Sequence, residues 1–209
     1  MSMSYPKSLP LHTIWDDIAF LLESTKDLLS LALTCHTFKD LVIPDHLKYR
    51  HISCDIRSPN WKLLENRPRL ARGIRSIELA EDSAMEDVRL PRTPDLSYEY
   101  KRHTKVTNDK MTLFTNSISH MTLLREFTWT QYPESIQQVI NISEVLTSSA
   151  SRLEGLSIRA YLSPLRSNHL RFEQLSVWTL TNLKRVIIQY PNQAAIQMVL
   201  SCPDIEDLY

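Results

Sequence analysis

A six-residue pattern, apolar at its first, fourth and sixth places, recurs along the chain from residue 74 onward. It appears as Ile74-Arg75-Ser76-Ile77-Glu78-Leu79, Leu124-Arg125-Glu126-Phe127-Thr128-Trp129, Leu153-Glu154-Gly155-Leu156-Ser157-Ile158 and Leu183-Lys184-Arg185-Val186-Ile187-Ile188. The last three begin 29 and 30 residues apart. Alternation within each run is that of a strand with one buried face. Between the runs, apolar residues fall at helical spacing: Met111, Phe114 and Ile118; Ile136, Val139, Ile140 and Leu146; Ile196, Val199 and Leu200. A long fixed period means units that bury their faces only by stacking on neighbours. The expected fold is therefore α/β, with parallel strands joined by helices. Leu124, Phe127 and Trp129 should point inward together, as should Leu153, Leu156 and Ile158. Glu78, Thr128, Thr130, Ser157 and Arg159 should face the open side, as candidate target-binding residues.

Two stretches depart from the period. Residues 80–108 are acidic at first (Glu81, Asp82, Glu86, Asp87) and then basic (Lys101, Arg102, Lys105), with Pro91 and Pro94 between. They read as a mobile insertion. Cys202-Pro203-Asp204-Ile205-Glu206-Asp207-Leu208-Tyr209 begins another strand with no helix after it. Repeat arrays need capped ends, so this end is expected to be incomplete, either as a fragment or with its tail covered by another molecule, and the isolated chain to self-associate through its open edge.

Composition removes several chemistries. The chain has 2 glycines, Gly73 and Gly155, too far apart for a G-x-G-x-x-G or G-x-x-x-x-G-K-[ST] phosphate loop. Formal net charge is zero, which disfavours bulk nucleic acid or an anionic membrane as partner. The 3 cysteines include no C-x-x-C pair, which fits a reducing compartment. No apolar run approaches the roughly 20 residues of a membrane span. An intracellular location, cytoplasmic and/or nuclear, is expected. Cys35, His36, His46, His51 and Cys54 are ligand types without the two close pairs that zinc prefers, so no metal is expected. Arg67, Arg69, Arg72 and Arg75, seconded by Lys101, Arg102, His103 and Lys105, fit either an acidic-partner patch or a solvated junction between domains. Neither G-x-S-x-G nor H-E-x-x-H occurs. No catalytic residue is assigned, no cofactor is expected, and the chain is read as a non-enzyme.

The first fifty residues have another character. Ile14, Ile18 and Leu22 step by four on a first helix, beside Leu21. Ser24-Thr25-Lys26-Asp27 supplies a cap before a second helix, and Thr34 is placed to cap a third, which Pro44 should close. Leu9-Pro10, then Asp27-Leu28-Leu29-x-Leu31-x-x-x-Cys35-x-x-Phe38-x-x-Leu41, then Pro44-Asp45-His46-Leu47 and Ile52, resembles the F-box motif. The family usually has an acidic residue two after the proline and an aliphatic one next. Here His12 and Thr13 stand there, and Ile14, Ile18 and Leu22 are each displaced by one.

The resemblance is to an F-box protein of the fungal type, with degenerate leucine-rich repeats after the F-box. It implies a polar tail (1–8), a three-helix F-box (9–52), a connecting helical segment (53–73) and a partial leucine-rich-repeat domain (74–209). It also implies a substrate-recognition adaptor of an SCF-type ubiquitin ligase. In that family the F-box docks a Skp-type adaptor held by a cullin scaffold, and the repeats hold a target protein. The positions matching the docking and packing set are Leu9, Pro10, Ile14, Ile18, Leu22, Leu28, Leu31 and Phe38, with Phe38 suited to holding the helices together. The alternative is a leucine-rich-repeat binding scaffold without a ubiquitin-ligase role, its N-terminal helices serving as a cap. A hydrolase with a triad scattered along the chain is a third reading.

Overall fold

A computed structural model describes residues 11–80, 106–131, 135–159, 180–189 and 193–208. Most of the expected insertion, residues 81–105, lies outside this set. The chain forms two compact units, Met1–Tyr49 and Arg50–Tyr209.

The first unit is helical: α1 (Leu11–Leu21), α2 (Thr25–Ala32) and α3 (His36–Val42), followed by a π-helical turn at Ile43–Leu47. Ser24 caps α2 as its sequence suggests, its hydroxyl accepting from the N–H groups of Lys26 and Asp27 at 3.2 and 3.4 Å. Thr34 is not the cap of α3. Its hydroxyl turns back and donates to the Leu31 carbonyl at 2.7 Å, leaving Cys35 in the N-cap position. Pro44 does not end the helical path either, because the wider π turn runs through it. Ala19, Leu28, Ala32 and Val42 form a small core, with Leu22, Leu31, Ile43 and Leu47 packed against it.

The second unit runs β1 (His51–Cys54), α4 (Asn60–Glu65), α5 (Pro68–Arg72), β2 (Ser76–Leu79), α6 (Asn108–Ser119), β3 (Glu126–Trp129), α7 (Ile136–Ser149), β4 (Gly155–Ile158), β5 (Arg185–Ile188), α8 (Gln193–Leu200) and β6 (Asp207–Leu208). The strands form one 6-stranded sheet in chain order. Every pair is parallel, as the repeated runs require. The sheet starts one strand earlier than the period indicates. His51-Ile52-Ser53-Cys54 alternates exposed and buried residues and pairs with β2, so Ile52 is a sheet residue and not the end of the helical module. Residues 53–73 complete β1 and then cross to β2 through α4 and α5. On α4, Ser58 accepts from the Asn60 N–H, with Pro59 at the N-cap.

Successive strands are pinned at their starts. The carbonyls of Arg50, Arg75, Arg125, Glu154 and Lys184 each accept two backbone N–H groups from the next strand, at 2.8–3.1 Å. This locked register sends alternate residues inward. Ile77, Leu79, Phe127, Trp129, Leu156, Ile158 and Val186 are all buried, as are Leu124 and Leu153. Helix α4 packs on α6 and α6 on α7. Trp61 meets Phe114 edge to face at 4.8 Å and donates its indole N–H to the Asp55 carbonyl at 3.0 Å. The buried carboxylate of Asp55, just after β1, accepts from Gln131 and from the Arg57 guanidinium. Gln131 in turn accepts from the Ile56 N–H at 3.2 Å, so the loop after β1 is tied to the end of β3. That satisfies a buried charge that would otherwise be costly.

Two stability measurements follow. Phe127→Ala should cost about 3–5 kcal/mol in urea unfolding, and the exposed Thr122→Ala within about 0.5 kcal/mol. Cys202 is buried and donates its thiol to the Leu180 carbonyl at 2.7 Å. Burial pushes that thiol up from its ordinary value, partly offset by hydrogen bonds from Ser201 and the Leu183 backbone. The folded state then holds the proton to higher pH than the unfolded chain. Its contribution is complete below the ordinary thiol value of 9.0 and is lost as pH rises from there through the folded value. Cys202→Ala should flatten the alkaline arm of the stability profile.

Candidate functional site

The register places two rows of side chains on the face of the sheet opposite the buried one. One row is His51, Ser76, Glu126, Gly155, Arg185 and Asp207; the other is Ser53, Glu78, Thr128, Ser157 and Ile187. Gly155 sits between Glu126 and Arg185. A Cβ there would lie 3.4 Å from Glu126 Cγ, so the glutamate lies across the bare backbone. Strands two apart are about 9.6 Å from each other. Arg185 reaches over that gap and donates to Glu126 Oε1 at 2.6 Å. Both side chains are about half exposed, at 55% and 46%.

The residues expected on this face divide. Glu78, Thr128 and Ser157 share one row. Glu78 is exposed and accepts from Ser53 at 3.0 Å. Ser157 is largely buried and accepts from Arg159 Nε at 3.1 Å, while Arg159 itself is exposed. Thr130 spends its hydroxyl on the Leu79 carbonyl at 3.0 Å, which makes it a tie between strands. Glu126, Gly155 and Arg185 were not singled out from the pattern, although all three occupy its third place.

The helical unit offers a different chemistry. Ile14, Ile18 and Leu21 line one stripe of α1, and Leu21 is 74% exposed. Leu29 and Leu33, one turn apart along α2 and its end, are 47% and 77% exposed. Of the positions expected to dock a partner, Leu28 is fully buried in the unit's own core, so it packs the helices and presents nothing outward. Leu22 and Leu31 are half-buried against that core. Phe38 meets Trp15 edge to face at 4.7 Å and joins α3 to α1. Leu9 and Pro10 lie outside the described residues. Leu21, Leu29 and Leu33 are the more outward neighbours, a choice that needs the helix phase.

The ligand-type residues go elsewhere. His46 is buried, bonds Asp16 Oδ1 through Nε2 at 2.8 Å and packs on Phe20, clamping the turn after α3 to α1. Cys54 lies inside the sheet unit, and Cys35 is exposed in the helical one. Among the described residues no group of three His, Cys, Asp or Glu side chains is arranged to hold a metal. No described helix is long and apolar enough to cross a membrane. Arg67, Arg69 and Arg72 are exposed, but Arg75 is buried and donates to the Arg72 carbonyl at 3.5 Å. Lys101, Arg102, His103 and Lys105 lie outside the described residues.

No known family model matches the chain, and no curated protein matches it in sequence.

The glycine gives a clean test. Its φ is not positive, and a methyl would make ordinary contact with Glu126, so Gly155→Ala should stabilise by about 0.4–1 kcal/mol in thermal melts. Gly155→Ile should push Glu126 aside, and a Glu126/Arg185 double-mutant cycle in that background should show no coupling.

Proposed function

We propose that the chain is the substrate-recognition subunit of an SCF-type ubiquitin ligase. In this reading the helical unit docks a Skp-type adaptor, and through it a cullin scaffold. The sheet unit is a partial leucine-rich-repeat solenoid whose open face holds a target protein. Both partners place the protein inside the cell, in the cytoplasm or the nucleus. No chemical step falls to this chain, because holding target and conjugating enzyme together raises their effective concentration.

The observation that carries the reading is the exposure of Ile14 and Leu21 on α1, and of Leu29 and Leu33 on α2 and at its end, in a unit of three short helices. Exposed leucines on a surface this small mark a contact site. They occur within the stretch that resembles the F-box motif. Helices present apolar stripes to grooves through i, i+3, i+4 and i+7 anchors. Sequential parallel strands with long crossovers support the solenoid. The hydrogen-bonding side chains of the open face suit a protein target better than an apolar ligand.

Copurification of the full chain with a Skp-type adaptor tests this. The wild type should retain the adaptor. Leu21→Asp with Leu33→Asp should weaken it by more than about a hundredfold, since each buried leucine is worth about 1.5–3 kcal/mol. Circular dichroism should stay unchanged, because both side chains already face solvent. Leu28→Asp should instead unfold the helical unit. A wild type that retains no adaptor, or a double variant that binds as well as wild type, would leave only a repeat scaffold without a ligase role.

A further inference from the structure

We propose that the cleft between α6 and α7 binds an extended aliphatic chain bearing ammonium groups. The inference goes beyond the docking reading and depends on neither the helical unit nor the open face of the sheet.

Helix α6 packs on α7, and the cleft between them has a volume of about 580 Å³. Small-ligand sites span roughly 300–1,000 Å³, so the space suits a small molecule or a few side chains. It follows α6 from Asn108 to Ser119, about 16 Å at the helical rise. Met111 and Val145, both buried, give the lining its apolar part, and every other lining residue is polar.

The direction of the hydroxyl protons selects the ligand. Thr112 donates to the Asn108 carbonyl at 2.9 Å, and Thr115 to that of Thr112 at 3.1 Å. Ser119 donates to Asn116 at 2.7 Å, and Ser148 to Val145 at 3.2 Å. A hydroxyl has one proton and two lone pairs, so one that bonds back onto its own helix is left as an acceptor. Asn116 turns its amide nitrogen to Glu65 at 2.7 Å, which points its carbonyl oxygen the other way. Asn141 is the exception, its carbonyl accepting from Gln137 at 2.8 Å. The lining is therefore rich in acceptors and poor in donors. A phosphate or carboxylate would find little to bond, whereas N–H groups are matched.

Charge points the same way. Glu144 is the one charged residue of α7, and it lines the cleft exposed. It has no cation at ion-pair distance among the described residues. Lys110, the cation of α6, comes five residues before Thr115 and so stands about 140° around the helix from it. Ammonium groups supply the donors and neutralise Glu144, while the methylenes between them cover Met111 and Val145. This chemistry has two sources, a free polyamine or the lysine side chains of a protein segment.

The test titrates the full chain, followed by amide NMR, with spermidine, with a capped dilysine peptide and with an aliphatic diol of spermidine's length. Spermidine or the peptide should bind with a Kd of about a millimolar or tighter, and the diol at least about tenfold more weakly. The tighter of the two cations identifies the source. Shifts should concentrate in residues 108–119 and 141–149. Glu144→Lys should weaken binding about tenfold or more, because it replaces an attraction with a repulsion. Thr115→Val, which removes an acceptor and keeps the shape, should weaken it about threefold. Asp204→Lys makes the same change of charge on an exposed loop and should bind as wild type does. Circular dichroism should match for all three variants. The proposal is overturned if neither cation binds, if the diol binds equally well, or if shifts concentrate outside the two helices. Wild-type affinity in both cleft variants, or an equal loss in Asp204→Lys and Glu144→Lys, would overturn it too.

Discussion

Each step of the sheet is held by one carbonyl that takes two backbone N–H groups from the strand that follows it. Five such steps, from Arg50 to Glu206 and Asp207, fix the register of all the strands in turn. A slip of one residue at any step would exchange the two faces, putting Phe127 and Trp129 into water and Glu126 and Thr128 into the core. Burial of those large side chains makes such a slip costly, so the hydrogen bonds and the apolar pattern enforce the same register. The polar side chains acquire their neighbours as a consequence. Glu126, Gly155 and Arg185 meet in one row only because three strands are in step.

The two units do opposite things with their apolar residues. In the sheet unit, described strands β2 to β4 bury theirs almost completely. In the helical unit the core is small, and leucines at Leu21 and Leu33 stay in water. A surface of that kind costs solubility unless a partner covers it. The polar sheet face has the complementary property. Its hydrogen-bonding groups are partly engaged with each other, as in Ser53 with Glu78 and Arg159 with Ser157, so these side chains are already held in place. Preorganised groups lose less freedom on binding.

Much of the sheet was legible from the chain. The spaced runs locate β2 to β5, the intervening helical spacings locate α6, α7 and α8, and the alternation within each run separates Phe127 and Trp129 from Thr128. β1 was hidden because Tyr49 stands where the other runs have a leucine or isoleucine, and because it follows the helices without a turn signal. The Glu126–Arg185 bridge depends on register across two strands, which no local window contains. On α2, adjacent leucines differ by about 100° around the helix. Density of leucine alone therefore cannot say that Leu28 goes inward while Leu29 and Leu33 do not. Thr34 carried a cap signal, yet its hydroxyl found the Leu31 carbonyl first.

Hydrogen exchange on the full chain, with and without a purified Skp-type adaptor, addresses the division of labour between the units most directly. If the helices dock and the sheet is a separate scaffold, the adaptor should slow exchange across residues 11–33 and leave the amides of residues 75–79, 125–129 and 154–158 unchanged. Protection confined to the sheet, or no protection at all at saturating adaptor, would contradict the assignment of the helical unit as the docking module.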